Sequence, residues 1–202
     1  MSTLEIEIKF YLENPEATRR AILNLGATSS GRLFETNHIL DDPEQTLFKK
    51  NSLLRLRQDE RALLTYKSPA PVPDSRFKIN REFEVQVEDF TTMRQILEKI
   101  GFRTVRIYEK WRETFKLRDT HLCLDTLPYG NFLEIEGRKK EAINLSKKLG
   151  FVWSQRSVLN YQELFELVKA DLDLTFSDIT FSNFEGISVD MLKLSNRFES
   201  GD

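Results

Sequence analysis

Glu5, Glu7 and Lys9 stand two residues apart in Glu5-Ile6-Glu7-Ile8-Lys9, so on an extended chain their ionic groups project from one face. The same spacing recurs in Arg55 and Arg57, in Glu82 and Glu84, in Arg106, Tyr108, Lys110 and Arg112, and in Glu134 and Glu136. Lys67 and Asp125 sit on further alternating segments. If these rows share one surface, it carries seven anions (Glu5, Glu7, Glu82, Glu84, Asp125, Glu134, Glu136) and seven cations (Lys9, Arg55, Arg57, Lys67, Arg106, Lys110, Arg112). Guanidinium and ammonium donors suit a polyanion such as a triphosphate, because arginine forks match phosphate oxygens. Carboxylates repel that ligand unless a divalent cation such as Mg²⁺ or Mn²⁺ lies between them. The combination therefore points to metal-assisted phosphate chemistry.

These side chains must be positioned by strands. Leu4 to Tyr11 alternates apolar and ionic residues, and Asn51 to Asp59, Ala62 to Lys67, Arg103 to Leu117 and His121 to Asp125 do the same. A weaker strand is predicted near Leu33 to Leu40, and Ser68 to Asn80, with three prolines, reads as a mobile loop. Three strands run into helices that close on glycine: Asn14-Pro15-Glu16 opens one ending at Gly26, Asp89 one ending at Gly101, and the stretch after Glu136 one ending at Gly150. About eight strands at hairpin distance predict an α+β chain built on an antiparallel sheet or closed barrel. An apolar core inside such a barrel would leave the ionic faces as solvated decoration. Helices with apolar stripes are available to cover the outside, which turns the ionic faces inward around a wet cavity.

The 202 residues are 40% apolar and 31% charged, enough for one domain with a sizeable core. Lys+Arg 30 against Asp+Glu 32 gives a formal net charge of -2, without the basic excess of a nucleic-acid binder. No apolar run is long enough to span a membrane, and the amino terminus lacks signal-peptide features, so a cytosolic protein is expected. Cys123 is the only cysteine, which removes disulfides and thiolate zinc clusters and makes packing its expected role. His38 and His121 read as ordinary strand residues, and Trp111 and Trp153 as parts of apolar covering surfaces.

Glu5-Ile6-Glu7-Ile8-Lys9 resembles the Glu-x-Glu-x-Lys signature of the CYTH superfamily, the triphosphate tunnel metalloenzymes. Leu54-Arg55-Leu56-Arg57, Thr65-Tyr66-Lys67, Arg81-Glu82-Phe83-Glu84, Tyr108-Glu109-Lys110-Trp111-Arg112, Asp125 and Phe132-Leu133-Glu134-Ile135-Glu136 follow in the family's order. Tyr161-Gln162-Glu163-Leu164-Phe165 resembles its carboxy-terminal helix, so the likeness covers about Leu4 to Val168. It implies an eight-stranded antiparallel barrel, a triphosphate tunnel with helices outside. By this resemblance Glu5, Glu7, Glu134, Glu136 and Asp125 bind Mg²⁺ or Mn²⁺, while Lys9, Arg55, Arg57, Lys67, Lys110 and Arg112 contact phosphate. Lys9 could also activate water. Glu82 and Glu84 either touch metal or orient the cations, and Tyr108 hydrogen-bonds substrate or a cation. Arg81 falls on the opposite parity, against a phosphate role.

The expected activity is hydrolysis of an inorganic, thiamine or nucleoside triphosphate. The alternatives are an adenylate cyclase releasing cyclic AMP and pyrophosphate, or a non-catalytic polyphosphate-binding module. The expected partner is a small triphosphate, with neither nucleic acid nor membrane. Residues 1–170 form the tunnel domain in this reading, and 171–202 an extension that docks on its wall, covers one mouth or makes a homodimer contact.

Overall fold

The computed structural model describes residues 3–201. Its strands are β1 (Thr3–Leu12), β2 (Thr28–Asp41), β3 (Leu53–Gln58), β4 (Ala62–Pro69), β5 (Lys78–Val87), β6 (Arg103–Leu117), β7 (Thr120–Leu127) and β8 (Gly130–Glu136). Every pairing is antiparallel, and the order β1-β5-β4-β3-β2-β6-β7-β8 returns to β1 as a closed barrel. The expected α+β barrel is thus the fold.

Two of the three strand–helix units open on the caps that the sequence supplies, and the third helix, after Glu136, opens without a side-chain cap. Asn14 accepts a hydrogen bond from the Ala17 amide at the start of α1 (Pro15–Asn24). A short α2 (Thr46–Lys49) follows β2, and Asp89 caps α3 (Phe90–Lys99) through the Thr92 amide. Gly26 and Gly101 end α1 and α3 at φ +85 and +104, a backbone region that a side chain disfavours. Next come α4 (Lys139–Lys148) and α5 (Tyr161–Leu172). None of the described helices is long and apolar enough to cross a membrane.

The helices decide which face of the barrel is dry. Ile8 and Phe10 of β1, Phe115 of β6, Leu122 and Leu124 of β7, and Leu133 and Ile135 of β8 are buried outside the barrel with Ile22 of α1 and Leu145 of α4. Leu40, Leu54 and Leu56 pack with Leu97 of α3 in the same way. The apolar rows therefore face outward under helices, and the ionic rows face inward. The cover stops short of β5, where Phe83 and Val85 are exposed.

β2 is longer than the sequence pattern indicates. It begins at Thr28, soon after α1, and irregular register between Ser29 and Arg32 breaks its alternation, which hides this part from the sequence pattern. The proline-rich connection is correspondingly short, residues 70–77, and Asp74 ties it down by accepting hydrogen bonds from Arg76 and Lys139.

The wall parts in two places. β1 pairs with β5 only from Thr3 to Glu7, and beyond that Lys9 exchanges two backbone hydrogen bonds with Ser157. β6 pairs with β7 only from Trp111 onward, and Ile179 bonds the backbone of Ile107 and Glu109 upstream. Residues after α5 then fill this end of the barrel, where Ile179, Phe184, Met191, Leu194 and Phe198 bury Tyr108, Leu127, Tyr129 and Phe132.

Two outcomes follow from this packing. Leu133 is fully buried among the outer apolar rows, so Leu133→Ala should cost about 2–5 kcal/mol in urea denaturation. A loss under about 1 kcal/mol would show that this row is not core. Outside the barrel, Arg19 and Ser29 donate to Glu113 and hold its carboxyl below the ordinary range. Its folded value lies under the unfolded one, so this stabilisation is complete above the unfolded value and is lost as pH falls through the folded one. Wild type should therefore lose more stability than Glu113→Gln between about pH 5 and 3, and superimposable acid limbs would refute the coupling.

Candidate active site

The barrel encloses a cavity of about 1440 Å³. Its lining includes Glu5, Glu7, Lys9, Arg55, Arg57, Lys67, Glu82, Glu84, Arg106, Tyr108, Lys110, Arg112, Glu134 and Glu136. Of the inward row predicted from sequence, only Asp125 is absent from this lining; it is 1% exposed and lies behind Arg112 and Lys110. Arg81 is exposed, as its parity requires.

Charge inside the barrel is sorted by wall. Glu5 and Glu7 of β1 adjoin Glu134 and Glu136 of β8, with Glu7 opposite Glu136 and Lys9 opposite Glu134. Arg55 and Arg57 of β3 and Lys110 and Arg112 of β6 flank β2, which carries Glu35 opposite Lys110. The cations are tethered by carboxylates. Lys67 donates to Glu5 at 2.5 Å and lies 3.0 Å from Glu82, while Lys9 meets Glu7 at 2.6 Å and Glu134 at 3.4 Å. Lys110 lies between Asp125 at 3.2 Å and Glu35 at 3.5 Å. Arg112 donates to both oxygens of Asp125 and reaches Glu134 at 3.3 Å. Arg55 donates to the Tyr108 hydroxyl at 3.2 Å and lies 3.8 Å from Glu84, so Glu82, Glu84 and Tyr108 all contact cations here. Arg106 stands apart at the α5 end and pairs with Glu166.

These pairings set the protonation states. Burial opposes the charged form of Lys9, yet Glu134 and Glu7 outweigh it and hold the ammonium above the usual lysine range. Burial and Glu7 press the Glu5 carboxyl upward, but Lys67 and Lys78 hold it down. Asp125 is likewise buried and is held well below the usual range by Arg112 and Lys110. Glu136 differs. Among the described residues it makes no ion pair or side-chain hydrogen bond, and burial, followed by Glu5, Glu134 and Glu7, raises its carboxyl to about 7. Cys123, expected to pack in the core, instead lines the cavity opposite Glu134, and burial pushes its thiol up to about 12.

A divalent cation fits the chemistry of the β1–β8 wall. The donors are four carboxylates on adjacent strands, oxygen ligands suited to Mg²⁺ or Mn²⁺, and Glu136 is pushed up by burial and its acidic neighbours and has no ion pair among the described residues. In the conformation described, no three acidic, histidine or cysteine side chains among the described residues converge to metal-binding distance. Glu5 and Glu7 are turned onto Lys67, Lys9 and Lys78 instead.

Several inward residues escape a reading of the sequence. Glu35 is buried between Lys110 and Arg57, with its Oε2 lacking a hydrogen bond. Asn37, two residues on, is fully buried, and neither atom of its amide is bonded. Both lie on β2, and correct parity through its irregular start would have revealed them. Tyr161 reaches the site from α5, where its hydroxyl donates to Asp125 at 2.6 Å.

Residues 3–164 match the CYTH domain family. A provisionally named adenylate cyclase of Methanocaldococcus jannaschii is 28% identical over 169 residues, 83% of this chain and 89% of that protein. A Vibrio parahaemolyticus structure, also provisionally an adenylate cyclase, aligns with TM-score 0.74 and 19% identity over 82% of this chain and 99% of its own. A Hippeastrum protein, named as an adenylyl cyclase and described as having a dominant triphosphatase activity, aligns with TM-score 0.59 and 18% identity, covering 80% and 95% of the two chains.

The unbonded amide of Asn37 generates one expectation. Leucine has nearly the same shape and removes both orphaned atoms, so Asn37→Leu should unfold at an equal or higher denaturant midpoint than wild type. A loss above about 1 kcal/mol would mean that the amide is satisfied in solution.

Proposed function

The chain belongs to the CYTH domain family, and on that footing we propose that it is a divalent-metal-dependent enzyme hydrolysing a phosphoanhydride bond of a triphosphate held inside its barrel. One observation carries this reading: cations from four strands, Lys9, Arg55 with Arg57, Lys67, and Lys110 with Arg112 and Arg106, border one cavity whose β1–β8 wall is carboxylate-rich. Such a set matches a chain of phosphates better than any neutral ligand.

Lys9, Arg55, Arg57, Lys67, Lys110 and Arg112 contact the phosphoryl oxygens in this reading. Their present carboxylate partners keep them ordered at the cavity wall, and phosphoryl oxygens would take over part of those contacts on binding. As the bond to the leaving group loosens, charge spreads over the transferring phosphoryl oxygens and the same donors stabilise it. Glu5, Glu7, Glu134 and Glu136 would hold Mg²⁺ or Mn²⁺, which when bound offsets phosphate charge and polarises a phosphoryl oxygen. Asp125, already accepting from Arg112, Lys110 and Tyr161, serves to fix those cations. Lys9 acts as a phosphate contact and not as a water-activating base, since a base must give up its proton and the neighbouring carboxylates keep Lys9 charged.

Cyclisation is the second reading, favoured by the name of the M. jannaschii relative. It uses the same donors for departing pyrophosphate, but it needs a ribose hydroxyl aimed at the α-phosphate. Hydrolysis demands fewer specialised contacts.

The test is product analysis. With Mg²⁺ or Mn²⁺ and ATP, tripolyphosphate or thiamine triphosphate in parallel, orthophosphate is expected, and chelation should abolish its release until metal is restored. Cyclic AMP with pyrophosphate would establish cyclisation, and binding without turnover would reduce the chain to a polyphosphate-binding module. Glu134→Ala should lower kcat/KM about 10–100-fold or more, with circular dichroism checking the fold, since relief of repulsion among the carboxylates is set against the lost contacts to Lys9 and Arg112. Lys67→Ala should raise KM about tenfold. Wild-type kinetics in either variant would remove that residue from the site.

A further inference from the structure

Tyr161 enters the charged interior from outside the barrel. It is the first residue of α5, where a reciprocal cap fixes the backbone: Asn160 accepts from the Glu163 amide at 2.9 Å, and Glu163 accepts from the Asn160 amide at 2.7 Å. The Tyr129 hydroxyl donates to the Tyr161 carbonyl at 2.8 Å, so the residue is held from both sides. From that anchor the ring points into the cavity, with the Nζ atoms of Lys9 and Lys110 each 5.2 Å from its centroid. The hydroxyl donates to Asp125 at 2.6 Å, and Phe132 meets the ring edge-on at 5.5 Å.

We propose that Tyr161 is a positioning residue that sets how Lys9 and Lys110 present their ammonium groups to the substrate, a proposal that rests on the triphosphate reading above. A carboxylate beside an ammonium holds it by neutralising it. An aromatic face holds it by quadrupole attraction and leaves the charge intact for a phosphoryl oxygen. Lys9 and Lys110 are each 2% exposed and each has carboxylate neighbours, so a neutral third contact lets both stay ordered when phosphate displaces a carboxylate. The hydroxyl acts on the other half of the pair. Asp125 shares its lone pairs among Arg112, Lys110 and Tyr161, and without the tyrosine donor its attraction concentrates on the two cations and draws them from the substrate.

The experiment compares Tyr161→Phe with Tyr161→Leu, using steady-state hydrolysis, calorimetric binding of inorganic tripolyphosphate without metal, and melting as the control. Phe keeps the ring and loses the donor, so Kd and KM should rise about tenfold while kcat stays near wild type. Leu loses the ring as well, and kcat should fall about tenfold further. An ordinary core tyrosine behaves otherwise: its Phe variant binds and turns over like wild type, and its Leu variant loses activity only with its folded fraction. That pattern overturns the proposal. If Leu does not fold, the Phe variant decides alone, unchanged Kd and KM being the overturning result. A wild-type protein that neither binds tripolyphosphate nor turns over any triphosphate would overturn the underlying reading itself.

Discussion

An ion withdrawn from water costs several kcal/mol unless an opposite charge meets it, and the interior of this barrel is laid out by that constraint. Lys9 stands between Glu7 and Glu134, Lys110 between Glu35 and Asp125, and Lys67 between Glu5 and Glu82. Except over β5, the alternation of the strands supplies these groups inward because the opposite, apolar row is claimed by α1, α3 and α4. Helix packing outside and ionic pairing inside are therefore two consequences of one pattern. Neither would be stable without the other: an uncovered apolar row would expose core residues, and an open sheet would leave the ions no partners.

Pairing is uneven, and the unevenness is informative. The β3–β6 side is rich in cations, the β1–β8 side in carboxylates, and Glu136 has no counter-ion among the described residues. A lattice of balanced pairs would be a structural core. On the function proposed above, separated excesses of both signs suit a ligand that carries negative charge along one side and, through a divalent metal, positive charge along the other.

Much of this was legible in the sequence, for physical reasons. Glu5 to Lys9, Arg55 with Arg57, and Glu134 with Glu136 sit on strands whose two faces differ cleanly, so parity alone assigns them. Glu35 and Asn37 were not legible. The outward residues of that strand, Phe34, Thr36 and His38, are as mixed as the inward ones, and its register shifts twice. Tyr161 was hidden differently, since it heads a stripe with Leu164, Phe165 and Val168 that reads as ordinary helix core. Nothing in a helical period tells which residue of a stripe reaches through the mouth of a barrel. The contacts of Ile179 and Phe184 join distant parts of the chain and leave no local signal.

The two places where the wall parts change how the molecule can deform. Elsewhere, widening the ring means breaking a ladder that runs the length of a strand, but at these seams Ser157 and Ile179 supply only two backbone hydrogen bonds each. Both stitches belong to the carboxy-terminal fifth of the chain or its immediate approach, which also delivers the helix across that mouth. The ring is thus most weakly joined at one end, and the segment that clasps it there acts as a hoop around staves that do not meet at that level.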